Sequence, residues 1–106
     1  MSSLELSDRW SGLDESTDQV EASRARILAE LHRELGESHE LFDQVVRVEA
    51  FFEASDDVIV SLVDHTFALV HPTYSGRRET PPWPLARRLG TRAEASVAIA
   101  RWECDW

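Results

Sequence analysis

The sequence predicts an α+β domain with a long N-terminal helix, a three- to four-stranded antiparallel meander and a C-terminal helix packed on the sheet. Apolar residues recur at helical spacing near the start and near the end, and they alternate with polar residues in the middle. The 106 residues suit a single domain. We expect residues 1–15 to form an arm, either docked through Trp10 or disordered, and residues 16–106 to form the domain.

The first helix is predicted from about Asp18 to Leu35. Ser16 and Gln19 fit a capping box, in which each side chain satisfies a free backbone N–H at a helix start. Gly36 stands where many helices end in a left-handed residue. One apolar stripe is formed by residues at spacings of one turn: Val20, Ile27, Leu28, Leu31 and Leu35. We expect this stripe to cover the sheet.

Three strands are predicted between residues 43 and 74, because the apolar period there changes to two. The apolar face of the first strand would be Val46, Val48, Ala50 and Phe52. Short polar links favour an antiparallel meander. Residues 77–88 are predicted to be a loop or a weak fourth strand, because three of the four positions 81–84 are proline, which cannot donate a backbone hydrogen bond.

The last element is predicted to be a helix of about residues 92–103. Thr91 and Glu94 fit a second capping box at its start. Its apolar face would consist of Ala95, Ala98, Ile99, Trp102 and Trp106. This face is expected to pack on the sheet.

The formal charge of −9 is unevenly distributed. Residues 1–76 contain sixteen acids and five Arg, a balance of −11, whereas residues 77–106 contain six Arg and four acids, a balance of +2. The acidic first part argues against nucleic-acid binding, because phosphates are repelled. It is compatible with a basic protein partner or simply with solubility.

The absence of targeting signals and catalytic motifs in the sequence constrains the expected cellular location and chemistry of the protein. No apolar run approaches the roughly 20 residues that cross a bilayer, and the N-terminus lacks the apolar region of a secretory signal. The lone Cys104 cannot form an internal disulfide, so we expect a cytoplasmic protein without membrane contact. No nucleophile elbow, paired zinc ligands or HExxH motif is present. We therefore expect no catalytic residue, metal or cofactor.

Arginines surround the Pro-rich segment, at Arg77, Arg78, Arg87, Arg88 and Arg92. Their planar forks suit a phosphate or a carboxylate, and they could together hold an anion. Alternatively they pair with the surplus acids of the first helix and only hold the loop in place.

Trp83 and His71 each allow two interpretations. Rigid prolines on both sides could display Trp83 as a contact for another protein, since Trp and Arg are common at binding hot spots. Trp83 could instead fold back onto the core. His71 lies on the third strand in line with core residues, and it is either a polar group of a pocket or a core histidine bonded to backbone.

The leading hypothesis is a non-enzymatic protein-binding domain, one concrete form of which is an immunity- or antitoxin-like inhibitor of a basic partner. Its partner face would be the solvated acids of the first helix, Glu21, Glu30, Glu34 and Glu37. The alternative is a small-molecule-binding domain or minor enzyme, with an anion-accepting pocket between the sheet and the last helix. That pocket would use Phe67, Trp83, Ile99, Trp102, His71 and one of Arg87, Arg88 or Arg92. A third hypothesis is self-association through Trp83 or through Trp102 and Trp106.

Overall fold

The computed structural model describes residues 4–13 and 15–105. In chain order its elements are β1 (Trp10–Ser11), α1 (Asp18–Glu34), β2 (Val45–Phe52), β3 (Val58–Leu62), β4 (Phe67–His71), β5 (Leu85–Gly90) and α2 (Arg92–Glu103). The strands form one antiparallel sheet in the order β1-β2-β3-β4-β5. The predicted α+β class is confirmed. The described sheet has five strands rather than three to four, because β1 lies in the predicted arm and β5 in the Pro-rich segment.

Helix α1 begins at Asp18, as predicted, but its N-cap lies one residue later than the predicted cap. Thr17, not Ser16, is the N-cap, and its hydroxyl accepts a hydrogen bond from the backbone N–H of Val20 at 3.2 Å. At the other end, Gly36 is not left-handed, contrary to the prediction. A side chain at Gly36 would have its Cβ 3.0 Å from the methylenes of Arg78, so this glycine allows a close approach of Arg78 rather than a left-handed turn.

Arg24 on α1 is buried, although the sequence places it on the solvated face. Its guanidinium donates to the carbonyls of Val48 at 2.7 Å, Glu49 at 2.8 Å and Glu15 at 3.0 Å, and also to the carbonyl of Gly12. These hydrogen bonds join the N-terminal arm to the centre of β2. Helical spacing predicts which face a residue lies on, but it does not identify a carbonyl cluster that a buried charge can satisfy.

Strand β2 does not keep the single apolar face predicted for it. Its pairing with β3 shifts register between Val45 and Arg47 and again between Val48 and Ala50. Each added residue reverses the direction of the side chains that follow. Val48 therefore packs on the α1 side of the sheet, whereas Ala50 and Phe52 pack on the α2 side, and Val46 is exposed.

The sheet is covered on both faces, so the protein has two hydrophobic cores. The first core, beneath α1, contains Ile27, Leu31, Leu35, Leu41, Val45, Val48, Val58, Val60, Leu62, Ala68 and Val70. The second core, beneath α2 and the N-terminal arm, contains Leu4, Trp10, Ala50, Phe52, Ile59, Phe67, Leu69, Leu89, Ala95 and Ile99. Burial on both faces explains why the sequence of β3 is almost continuously apolar.

Strand β5 forms because the prolines precede it. Pro81, Pro82 and Pro84 all lie before Leu85, the first residue of the strand, so they remove no hydrogen bond from its pairing with β4. The peptide bonds before Pro82 and Pro84 are cis.

Helix α2 has the predicted bounds and the predicted capping box. The Thr91 hydroxyl accepts from the Glu94 N–H at 3.3 Å, and the Glu94 carboxylate accepts from the Thr91 N–H at 2.9 Å. Trp106, which was placed on the apolar face of this helix, lies outside the described residues. Within the described chain, neither helix has the length and apolar character that a membrane span requires.

Candidate functional site

An open cleft of about 440 Å³ lies on the α2 side of the sheet, beside the last turn of that helix. The residues that line it come from β4, β5, the position just before β3 and the end of α2: Asp57, Leu69, His71, Leu85, Ala86, Arg87 and Trp102. The volume is in the range of small-molecule sites, which are mostly apolar with a few converging polar groups.

The strand register determines which side chains share the cleft. Leu69 lies opposite Arg87, and His71 lies opposite Leu85. Side chains two residues apart point to the same face of a sheet, and Leu69 belongs to the core beneath α2. His71 and Arg87 are therefore diagonal neighbours on that face, over an apolar floor.

His71 is oriented by a buried carboxylate. Its Nδ1 lies 3.2 Å from Oδ1 of Asp57, which is only 9% exposed. The second oxygen of Asp57 accepts the hydroxyl of Ser55 at 2.5 Å. Because an ionised carboxylate can only accept, Nδ1 of His71 carries the proton, and in the neutral ring Nε2 keeps its lone pair. The arrangement gives the cleft a hydrogen-bond acceptor at Nε2, which becomes a donor when the ring is protonated.

Arg87 supplies the positive charge of the cleft. No carboxylate among residues 4–13 and 15–105 forms a salt bridge with its guanidinium, whereas Arg88, the next residue, pairs with Glu40 at 3.1 Å. An Arg fork in a cleft, without a carboxylate partner in the described chain, is suited to a planar anion.

Trp102 forms the apolar wall of the cleft and is held by other aromatic rings. It packs edge-on against Phe52, with 4.9 Å between ring centroids, and tilted against Trp10 at 5.8 Å. Trp10 is fixed in turn by a hydrogen bond of 2.5 Å from its indole N–H to Glu103. The N-terminal arm, through Trp10, therefore helps to position one side of the cleft.

The structure brings together only some of the residues predicted to line a pocket here. His71, Arg87 and Trp102 do line the cleft. Phe67 and Ile99 are core residues beneath α2. Trp83 does not line this cleft and does not plug the core, since 46% of its surface is exposed. The side chain of Trp83 is therefore exposed on the Pro-rich segment, outside the cleft.

The other predicted arginines do not join Arg87. Arg88 points to the opposite face, where its fork also donates to the backbone carbonyl of Glu40. The methylenes of Arg78 pack against Gly36, and Arg77 and Arg92 are exposed. The five arginines around the Pro-rich segment therefore form no common anion site, because the strand alternates their directions and the loop separates the rest.

Two acids of the predicted partner face are buried, so the prediction of a solvated face is wrong for Glu30 and Glu34. The carboxylate of Glu34 accepts the backbone N–H of Thr73 at 2.9 Å and of Tyr74 at 2.8 Å. Glu30 accepts the N–H of Gly76 at 2.8 Å. These hydrogen bonds hold the loop after β4 against α1. Glu21 and Glu37 remain exposed.

The two buried carboxyl groups have pKa values that shift in opposite directions. Burial, and the hydrogen bond to Glu30, raise the pKa of Glu34. The hydrogen bond from Glu34, with further ones from Gly76 and Arg33, lowers the pKa of Glu30. Of the two groups, Glu34 therefore keeps its proton to a higher pH than Glu30 does.

Asp57 lines the cleft but was not among the residues predicted to do so. A signal for its role is present in the hairpin: Val58 pairs with Val70, so one further step places Asp57 opposite His71. Asp57 and His71 are equally distant along the chain from Asp64, in the predicted turn, and folding the hairpin about that point would have paired them.

No group of three or more His, Cys, Asp or Glu side chains in the described part of the chain is arranged to hold a metal ion. Comparisons with protein-family models, with curated proteins and with solved structures find no match. The cleft itself is therefore the basis for a functional proposal.

Proposed function

We propose that this protein is a small-molecule-binding domain that holds a small carboxylate in the cleft of Arg87, His71 and Trp102. The observation that supports it is the convergence of a guanidinium and a carboxylate-oriented imidazole on one apolar cleft. Arg87 would bind the carboxylate through two parallel hydrogen bonds, and the apolar body of the ligand would lie against Trp102 and Leu69.

The surroundings favour one negative charge on the ligand over two. Asp57 lies in the wall of the cleft, and the protein carries a formal charge of −9. Both repel a phosphate dianion more strongly than a carboxylate. The apolar lining favours a carboxylate with a hydrophobic body, for which benzoate is a suitable probe.

The proposal is tested by calorimetric titration with benzoate, inorganic phosphate and benzylamine, a cation of nearly the same shape as benzoate. We expect benzoate to bind, phosphate to bind more weakly and benzylamine not to bind. Arg87→Gln should weaken benzoate binding about tenfold or more, because a charge-assisted pair contributes on the order of 1.5–3 kcal/mol.

Arg77→Gln is the matched control, since Arg77 is an exposed arginine outside the cleft. Its affinity for benzoate should equal that of the unchanged protein. Equal weakening by both substitutions would show only a general charge effect, and equal affinity for benzoate and benzylamine would refute recognition by Arg87.

A protein partner is the second proposal, and a different observation favours it. Trp83 and Leu85 are 46% and 45% exposed at the beginning of β5. Exposed large apolar side chains close together are typical of interaction surfaces. The original form of this hypothesis, an inhibitor that meets a basic partner through the acids of α1, has less support because Glu30 and Glu34 are buried.

A further inference from the structure

Strand β5 lies at an open edge of the sheet. It pairs with β4 on one side, and no other described segment forms a backbone hydrogen bond with it. In an antiparallel strand, every second residue points its N–H and C=O away from the neighbouring strand. The outer edge of β5 therefore presents a row of donors and acceptors to which another strand can add.

The side chains along this edge limit what can add to it. Arg87 points to the α2 face and Arg88 to the α1 face, where 44% of its side chain is exposed. Glu40 occupies two of the Arg88 donors, through its carboxylate and its carbonyl, and leaves the others available. Leu85 and, just before the strand, Trp83 are half exposed.

A second copy of this chain is a poor occupant. Full-length antiparallel pairing of two β5 strands would place Arg87 of one copy opposite Arg88 of the other, twice in the interface. Like charges directly opposite each other destabilise a strand pair. The same two arginines stabilise a strand that carries carboxylates at the facing positions.

We propose that β5 binds an extended acidic segment of a partner protein by antiparallel strand addition. In antiparallel pairing, the residues of the partner strand face those of β5 in reverse order. Acidic residues of the partner would face Arg88 and Arg87, any residue would face Ala86, and an apolar residue would face Leu85. The partner segment is thus acid-acid-any-apolar in its own chain direction. Backbone hydrogen bonds along the edge would supply affinity, and the two arginines would supply selectivity.

The test uses the peptide acetyl-Thr-Val-Glu-Glu-Thr-Val-Thr-amide and its counterpart with both Glu replaced by Lys. Fluorescence anisotropy of labelled peptides measures affinity, and amide hydrogen exchange followed by NMR locates the bound strand. We expect the acidic peptide to bind more tightly than the basic one and to protect amides of residues 85–90.

Arg88→Glu distinguishes strand addition from carboxylate binding in the cleft. Arg88 lies on the other face of the sheet and does not line the cleft. The substitution should lower the affinity for the acidic peptide about tenfold, because it replaces a cross-strand attraction with a repulsion. The affinity for benzoate should not change. Arg26→Glu, at an exposed position of α1, changes the total charge by the same amount in the same direction and is the control.

Equal affinity for the two peptides, or binding without protection of residues 85–90, would overturn strand addition at this edge. Without peptide, sedimentation would detect a concentration-dependent dimer. If hydrogen exchange then showed that this dimer protects the same amides, the partner would be a second copy of the chain and not an acidic segment of another protein. Loss of benzoate binding with intact peptide binding would refute the cleft alone.

Discussion

At the scale of single residues, the buried charges of α1 were the hardest feature to predict. Arg24, Glu30 and Glu34 follow the helical spacing of an exposed face, yet each is buried. Each forms hydrogen bonds with backbone groups of a neighbouring segment, and these compensate for much of the cost of burial. The buried Nε of Arg24 has no hydrogen-bond partner in the described chain, but it lies 3.5 Å from the Glu21 carboxylate. Nothing in a local pattern reveals such a long-range partner.

Arg24→Met should destabilise the protein by about 3 kcal/mol, because removing the guanidinium leaves a cluster of inward-facing carbonyls without their charged donor. Urea unfolding measures the change in free energy. Arg26→Met on the same helix is the control, since Arg26 is exposed and should change stability by less than about 0.5 kcal/mol. Equal effects at both positions would contradict the role assigned to Arg24.

Glu34 gives a prediction about pH. Its pKa is raised above the ordinary value of 4.5, so the folded protein holds this proton more tightly than the unfolded chain. The contribution of Glu34 to stability is therefore complete below pH 4.5 and is lost as the pH rises through its raised pKa. Glu34→Gln keeps a donor towards Glu30 but cannot ionise, so it removes this loss.

The comparison is urea unfolding of both proteins at several pH values from 4 to 8. The stability of the unchanged protein relative to Glu34→Gln should decrease as the pH rises. Glu37→Gln, which replaces an exposed acid three residues away, should show no such trend. A relative stability that increases with pH would mean that Glu34 is ionised in the folded protein.

At the scale of elements, local patterns predicted both helices and the three central strands, but they missed β1 and predicted only a loop or a weak strand at β5. Helix α2 has its predicted bounds because Thr91 and Glu94 provide a specific start signal. Strands β3 and β4 lie within residues 43–74, where three strands were predicted. The faces of β2 were wrong because its two register shifts depend on pairing with β3, and no period in the sequence of β2 itself reveals them.

Thr91→Ala should destabilise the protein by about 1 kcal/mol, since it removes one half of the capping box and leaves a helix N–H without its partner. Thr80→Ala, in the exposed Pro-rich segment, is the control and should have a negligible effect. Thermal unfolding of the two variants gives the comparison. If both substitutions reduced the stability equally, the hydrogen bond of the cap would contribute nothing beyond the effect of replacing any exposed threonine.

At the scale of the whole molecule, the sheet with one helix on each face determines where a ligand can bind. α2 covers Leu89 and Phe67 but does not cover the end of β4 and the beginning of β5. The cleft lies there. The sequence predicted a pocket near the sheet and the last helix, with His71, Trp102 and an arginine. It could not predict which arginine, because that depends on the register of β5 against β4.

The position of a bound carboxylate is best determined by NMR of isotope-labelled protein during titration with benzoate. The cleft predicts saturable shifts of the Arg87 guanidinium and the His71 ring, with contacts from benzoate protons to the Trp102 indole, and it predicts that Arg87→Gln removes them. Shifts centred instead on Arg77 and Arg92, or no saturable shift at His71 and Arg87, would contradict the proposal that this cleft is the ligand site.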